Sequence, residues 1–225
     1  MLLANFMKNM KTNNKPILIS QRPLFIVFEG IDGSGKSTLS KKLFSYLQTH
    51  NTPCILTKEP GATALKMPLY EQLHILSHYE HKEKIQYLLF AAERALHIET
   101  IIQPALLQGK IVISDRFIDS SRVYQKEAGS KFINMIFEHT NNNITPDITI
   151  FCEIDPIIAL KRITLRGKDL MDKLYEKKLS ILTERYKSLY KQNNSKNIII
   201  NCNTENQDEI FNQLLYILKK QFQDK

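Results

Sequence analysis

The chain has 225 residues, 43% of them apolar and 24% charged, which suits one domain with a normal core, and it contains no run long and apolar enough to span a membrane. Its net charge of +8 is spread over lysines scattered among Asn and Ile, without basic runs interleaved with aromatics, so it reads as a solvated basic surface and not as a nucleic-acid site. Cys54, Cys152 and Cys202 lie far apart without metal-ligand spacing and read as small buried residues of a reducing compartment.

Residues 1–23, with Met7 and Met10 as alternative starts, are too short and too polar for a secretory core and are expected to be a disordered extension. From residue 24 to 225 a single domain is expected. The apolar run Leu24 to Glu29 predicts a strand, and Lys36 to about His50, with Leu39, Leu43, Phe44 and Leu47 at helical spacing, predicts a helix. Between them stands Gly30-Ile31-Asp32-Gly33-Ser34-Gly35-Lys36-Ser37-Thr38, a match to G-x-x-x-x-G-K-[ST]. Glycines at 30, 33 and 35 allow consecutive N–H groups to turn inward around an anion, and the helix that follows adds its positive end. Lys36 is placed to reach the β- and γ-phosphate oxygens, and the Ser37 hydroxyl to hold Mg²⁺ bridging them. The segment therefore predicts a nucleoside triphosphate site.

Further along, Pro53 to Thr57 predicts a second strand and residues 82–108 a long helix, bent at Pro104 and stopped by Gly109. Ile111 to Ser114, Asp147 to Cys152 and Asn197 to Asn201 supply three more strands. Helices are expected at 156–166, with Asp155 as cap and Pro156 at the first position, and at 171–192 and 204–222. This alternation predicts an α/β fold with a parallel sheet, whose ligands gather at the carboxyl ends of the strands. Lys58 to Thr63 and Asp115-Arg116-Phe117 fall on that rim. On the long helix, Phe90 and Arg94 are spaced i, i+4 and share a face, an aromatic plate beside a planar fork on which a base could stack and be read. Taken alone, the pair reads better as an ordinary core aromatic and a surface cation.

The set as a whole resembles bacterial thymidylate kinases. The resemblance rests on Phe28 to Thr38, Thr57-Lys-Glu-Pro-Gly61, Leu89-Phe-Ala-Ala-Glu-Arg94, Ile113 to Phe117 with Asp119-Ser-Ser121 and Tyr124-Gln125, and Pro146-Asp-Ile-Thr149, whose order runs through residues 24–220. It implies a P-loop NTPase three-layer sandwich, a five-stranded parallel sheet flanked by helices with a small helical lid around 162–175. It implies Mg²⁺-dependent transfer of the ATP γ-phosphate to thymidine monophosphate by a cytoplasmic homodimer without membrane or nucleic-acid partners.

By the same resemblance Phe90 stacks on thymine, Arg94 and Gln125 contact its edge with Ser121 nearby, and Tyr124 crowds the sugar's 2′ position. Asp32 faces the 3′-hydroxyl and phosphate, Arg116 binds the acceptor phosphate, Glu59 lines the acceptor pocket, and Asp115 supports the metal through water. Because Gly33 stands where some relatives place an arginine, the transition-state cation is expected between Arg162 and Lys173, with Arg166 the first choice and Lys168 and Lys173 as rivals. The family usually writes Thr-Arg-Glu-Pro-Gly-Gly-Thr followed by a glutamate and an arginine; here Lys58, Ala62, Met67 and Tyr70 stand at the corresponding places. Those departures leave open a related kinase for another deoxynucleotide or deoxynucleoside, or a catalytically weakened nucleotide-binding protein.

Overall fold

The structure, a computed structural model, describes residues 22–63, 79–167, 176–191 and 196–223. Met67, Tyr70, Lys168, Lys173 and nearly all of the expected extension lie outside the described residues. In chain order the main elements are β1 (Phe25–Glu29), α1 (Lys36–Thr49), β2 (Cys54–Lys58), α2 (Lys82–His97), α3 (Gln103–Leu107), β3 (Ile111–Asp115), α4 (Ile118–Tyr124), α5 (Ser130–Thr140), β4 (Ile148–Glu153), α6 (Pro156–Arg166), α7 (Leu179–Tyr190), β5 (Asn197–Asn201) and α8 (Gln207–Gln223).

All strand pairs are parallel, in the order β2-β3-β1-β4-β5. The central strand alternates strictly between two cores, as a period of two requires. Phe25 and Val27 pack with Tyr87, Ile98 and Phe117 on one side, while Leu24, Ile26 and Phe28 pack with Leu39, Leu43, Ile163 and Leu214 on the other. Burial on both faces is why these strands read as unbroken apolar runs. Helix α1, which follows β1, and helix α5, which follows β3, contribute to opposite cores, while the short α4 between them gives Val123 to the first and Ile118 to the second. The adjacent carboxyl ends of β1 and β3 are therefore a switch point, where a crevice opens in an open α/β sheet.

Three expectations are corrected. The helix over 82–108 is not simply bent at Pro104: a π-helical turn spans Ile98–Ile102, and Pro104 sits in the first turn of α3, where no N–H is required of it. The Thr100 hydroxyl donates to the Leu96 carbonyl at 2.7 Å within this stretch. Helices α4 and α5 were not expected, although Ile133 and Phe137, four residues apart, bury one face of α5. The helix expected over 171–192 is observed over Leu179–Tyr190 after a short 3₁₀ turn at Glu176–Lys178; residues 171–175 lie outside the described residues. At α6 the expected cap is present, the Asp155 carboxylate accepting from the Ile157 N–H at 2.7 Å with Pro156 in the first turn.

Candidate active site

The loop from Gly30 to Gly35 leaves β1 and enters α1 beside Asp115, so a cleft of about 470 Å³ opens over the carboxyl ends of β1 and β3. Gly33, at φ +79°, is where the backbone most needs glycine: a Cβ there would come within 2.4 Å of the Ala159 carbonyl oxygen. That close approach brings α6 against the phosphate-binding loop. Asp32, Gly33, Gly35, Lys36, Ser37 and Thr38 line the cleft. Ile31 turns into the hydrophobic core and Ser34 is fully buried. Gly30 packs close to Ser34 and the Cys152 carbonyl, behind the cleft.

Lys36 is 6% exposed and folds back across the loop, its Nζ donating to the Ile31 carbonyl and to Asp32 Oδ1, each at 3.3 Å. Asp32 also receives Arg116 Nη2 at 2.5 Å and the Tyr124 hydroxyl at 3.2 Å. Burial raises the Asp32 pKa, but the Arg116 and Lys36 charges outweigh it and hold the carboxyl well below the usual carboxylate range. Burial lowers the Arg116 pKa, yet Asp32 and the neighbouring phenols and carboxylate keep it well above the ordinary value. One carboxylate thus carries two cations at the floor of the cleft.

Arg116 itself sits at φ +78°, a left-handed conformation uncommon for a residue with a Cβ. Its backbone is gripped on both sides: its N–H donates to the Phe28 carbonyl at 2.9 Å, and its carbonyl accepts the Ser114 hydroxyl at 2.7 Å. Its Nη1 donates to Ser120 Oγ at 2.9 Å and to the Gly30 carbonyl at 3.2 Å. The guanidinium lies 5.0 Å from the centre of the Tyr124 ring. Next to it, the Ser37 hydroxyl donates to Asp115 Oδ2, and Asp115 Oδ1 is buried without a hydrogen-bond partner. A hydroxyl beside a carboxylate with an orphaned oxygen is a donor set suited to a hard divalent cation whose remaining ligands are water and phosphate. No group of three or more His, Cys, Asp or Glu side chains could hold a metal by itself among the described residues.

At the other end of the cleft, Phe90, Arg94, Ser121 and Gln125 come together as expected, with Phe117 beside them. Arg94 is 4% exposed, so the reading of this residue as a surface cation is wrong. Its Nε donates to Glu59 Oε2 at 2.7 Å and its Nη2 to Ser121 Oγ at 2.8 Å, while Nη1 is buried without a partner. Glu59 borders the cleft, but its carboxylate is spent on holding Arg94 and His97. His97 is fully buried: its Nδ1–H donates to Glu59 Oε1 at 2.9 Å, and Nε2 lies 2.6 Å from the Thr57 hydroxyl. Sequence reasoning missed His97, although it stands three residues after Arg94 and so on the same helix face. Glu93 was missed as well; it accepts from the Gly61 N–H at 3.1 Å and from the Thr63 hydroxyl at 3.4 Å, and burial together with the Glu59 charge raises its pKa.

Arg166 borders the cleft from the exposed end of α6. Arg162 is fastened in place, donating to the Gly33 carbonyl at 3.4 Å, the Cys202 carbonyl at 3.0 Å and the Thr204 carbonyl at 2.8 Å. The cleft therefore combines an N–H cradle for one anion, a second cation for another, and a planar apolar wall with an unused guanidinium edge.

A family model described as thymidylate kinase matches residues 28–214. A thymidylate kinase of Finegoldia magna is 37% identical over 202 residues, covering 88% of this chain and 98% of that protein. One from Rickettsia canadensis is 39% identical over 164 residues, covering 68% of this chain and 79% of that protein. The crystal structure of thymidylate kinase from Ehrlichia chaffeensis superposes with a TM-score of 0.67 at 28% identity, over 88% of this chain and 99% of that one.

Proposed function

From the chain's place in the thymidylate kinase family, to which it belongs, we propose that the cleft seats the donor triphosphate on residues 30–38 and the acceptor nucleotide between Phe90 and Arg116. The enzyme carries the γ-phosphate of ATP to thymidine monophosphate, yielding ADP and thymidine diphosphate. The observation that carries this reading is the sharing of Asp32 between Lys36 and Arg116. In-line transfer requires two anions to meet, and these two cations stand where the donor loop adjoins the strand end bearing Arg116.

In this arrangement Lys36 draws charge from the γ-phosphate while Arg116 holds the acceptor phosphate. Phe90 stacks on the base, and the orphaned Nη1 of Arg94 meets its edge, with Gln125 and Ser121 beside it. Tyr124, which bonds both Asp32 and Arg116, stands at the sugar. Ser37 and Asp115 would hold Mg²⁺, which supplies neutralisation of the β- and γ-phosphate oxygens. Residues 24–225 form one kinase domain whose lid lies around 162–175. Arg162 is the fastened root of that lid and Arg166 the cation offered to the transferring group.

The homodimer that the family resemblance implies stays part of this reading, with Leu88 and Met135 exposed on α2 and α5. A cytoplasmic setting is supported by three free cysteines. No helix among the described residues is long and apolar enough to cross a membrane. The test is formation of thymidine diphosphate from ATP and thymidine monophosphate with Mg²⁺, by the wild type and by Lys36→Ala. Removing a cation that stabilises the transferring group costs on the order of a thousandfold in kcat. A variant that folds and keeps more than about a tenth of the turnover contradicts the loop assignment.

A further inference from the structure

Glu29 closes β1, immediately before the first loop glycine, and is fully buried. A buried carboxylate needs a donor for each lone pair it turns inward, and Glu29 has four. Oε1 accepts the Phe117 N–H at 2.8 Å and the Ser120 N–H at 3.1 Å. Oε2 accepts the Ser120 hydroxyl at 2.7 Å and the Tyr186 hydroxyl at 2.9 Å. Its partners thus come from the turn after β3, from the first turn of α4 and from α7, the helix that follows the lid segment.

Those contacts surround Arg116. The Phe117 amide is the next peptide along from the left-handed residue, and Ser120 Oγ accepts Arg116 Nη1 at 2.9 Å while donating to Glu29. A left-handed conformation in a residue with a Cβ is strained and persists only where its surroundings impose it. The Glu29 carboxylate imposes it from one side and orients the guanidinium through Ser120 from the other. We propose that Glu29 is a positioning residue for Arg116, holding the guanidinium toward the acceptor phosphate from beneath the turn. The proposal rests on the reading of Arg116 as the acceptor-phosphate ligand.

Its test is equilibrium binding of thymidine monophosphate and of thymidine to the wild type, Glu29→Gln, Arg116→Ala and the double variant, with KM for ATP and a thermal melt of each. Glutamine keeps the carbonyl for the two N–H donors but sets an NH₂ group against two hydroxyls. Its nucleotide Kd should rise about tenfold, the equivalent of one charge-assisted hydrogen bond, with thymidine Kd and the KM for ATP within about twofold. In the Arg116→Ala background the same change should add almost nothing, because a residue that acts through Arg116 has nothing left to position. Wild-type nucleotide affinity in Glu29→Gln, an equal loss for thymidine, or an undiminished loss in the double variant overturns the positioning role and leaves the Arg116 assignment standing. Wild-type nucleotide affinity in Arg116→Ala overturns the assignment and the proposal together. Should Glu29→Gln fail to fold, Ser120→Ala cuts the same relay while leaving Glu29 and its two N–H partners in place. That variant should lose nucleotide affinity about threefold or more, again only when Arg116 is present, and wild-type affinity in it overturns the proposal.

Discussion

Replacement of Arg94 separates holding the fold from reading the base. The side chain is 5% exposed and makes two charge-assisted hydrogen bonds, to Glu59 at 2.7 Å and Ser121 at 2.8 Å. Alanine removes both and leaves the Glu59 carboxylate, itself 5% exposed, with His97 alone at 2.9 Å. Breaking a buried pair this way costs about 3–5 kcal/mol of stability. Lysine keeps a cation for Glu59 but has no fork, so it loses the Ser121 bond and the Nη1 edge while costing about 1–2 kcal/mol. Both variants forfeit the contact with the base, worth about 1.5–3 kcal/mol if charge-assisted, and the KM for thymidine monophosphate should rise about 10- to 150-fold. The KM for ATP should stay within about twofold, because the loop is held by other residues. Steady-state kinetics for each substrate, with a urea titration of each variant, read both effects. A stable Arg94→Lys protein with a wild-type KM for thymidine monophosphate would mean that Arg94 only neutralises Glu59. Equal rises in both KM values would mean general damage.

Two further perturbations test the loop and the buried carboxylate. Gly33→Ala places a Cβ 2.4 Å from the Ala159 carbonyl oxygen at φ +79°, so the loop and α6 must separate. The melting temperature should fall by about 3–10 °C, the equivalent of about 1–3 kcal/mol, and the KM for ATP should rise; an alanine variant matching the wild type in both refutes the close packing. Glu29 has its pKa raised to about 7, chiefly by burial and further by Asp119, against the opposing influence of Arg116, Ser120 and the Phe117 amide. The unfolded chain therefore ionises first, and the stability that protonated Glu29 contributes is full below about pH 4.5 and lost as pH rises to about 7. Relative to the wild type, Glu29→Gln should gain stability between pH 5 and pH 8, by up to about 3 kcal/mol; a difference that is flat with pH contradicts the raised pKa.

The loop and its neighbouring elements were legible because spacing alone fixes them: glycines, a lysine and a hydroxyl between a β-branched run and an amphipathic helix have few other uses. The cap at Asp155 was legible for the same local reason. What stayed hidden depends on residues distant in the chain. Arg94 reads as a surface cation until Glu59, 35 residues earlier, and Ser121, 27 later, are brought to it. Glu29 looks like the end of a strand, because its donors lie 88 to 157 residues away. Helix α4 carries Asp, Ser, Ser and Arg in seven residues, a composition that reads as loop, and its packing against α5 and α7 makes it helical. His97 was within reach, since its i+3 spacing from Arg94 puts it on the face already singled out.

Acceptor choice tests the central claim most directly, since Lys58, on the rim of this cleft, departs from the family pattern. Initial rates of ADP release should be measured with ATP and Mg²⁺ against thymidine, thymidine monophosphate and the monophosphates of deoxycytidine, deoxyadenosine and deoxyguanosine. The account predicts the highest kcat/KM for thymidine monophosphate, by about tenfold or more over the other monophosphates, and no turnover of thymidine. A higher kcat/KM for another monophosphate, or turnover of the nucleoside itself, would contradict it.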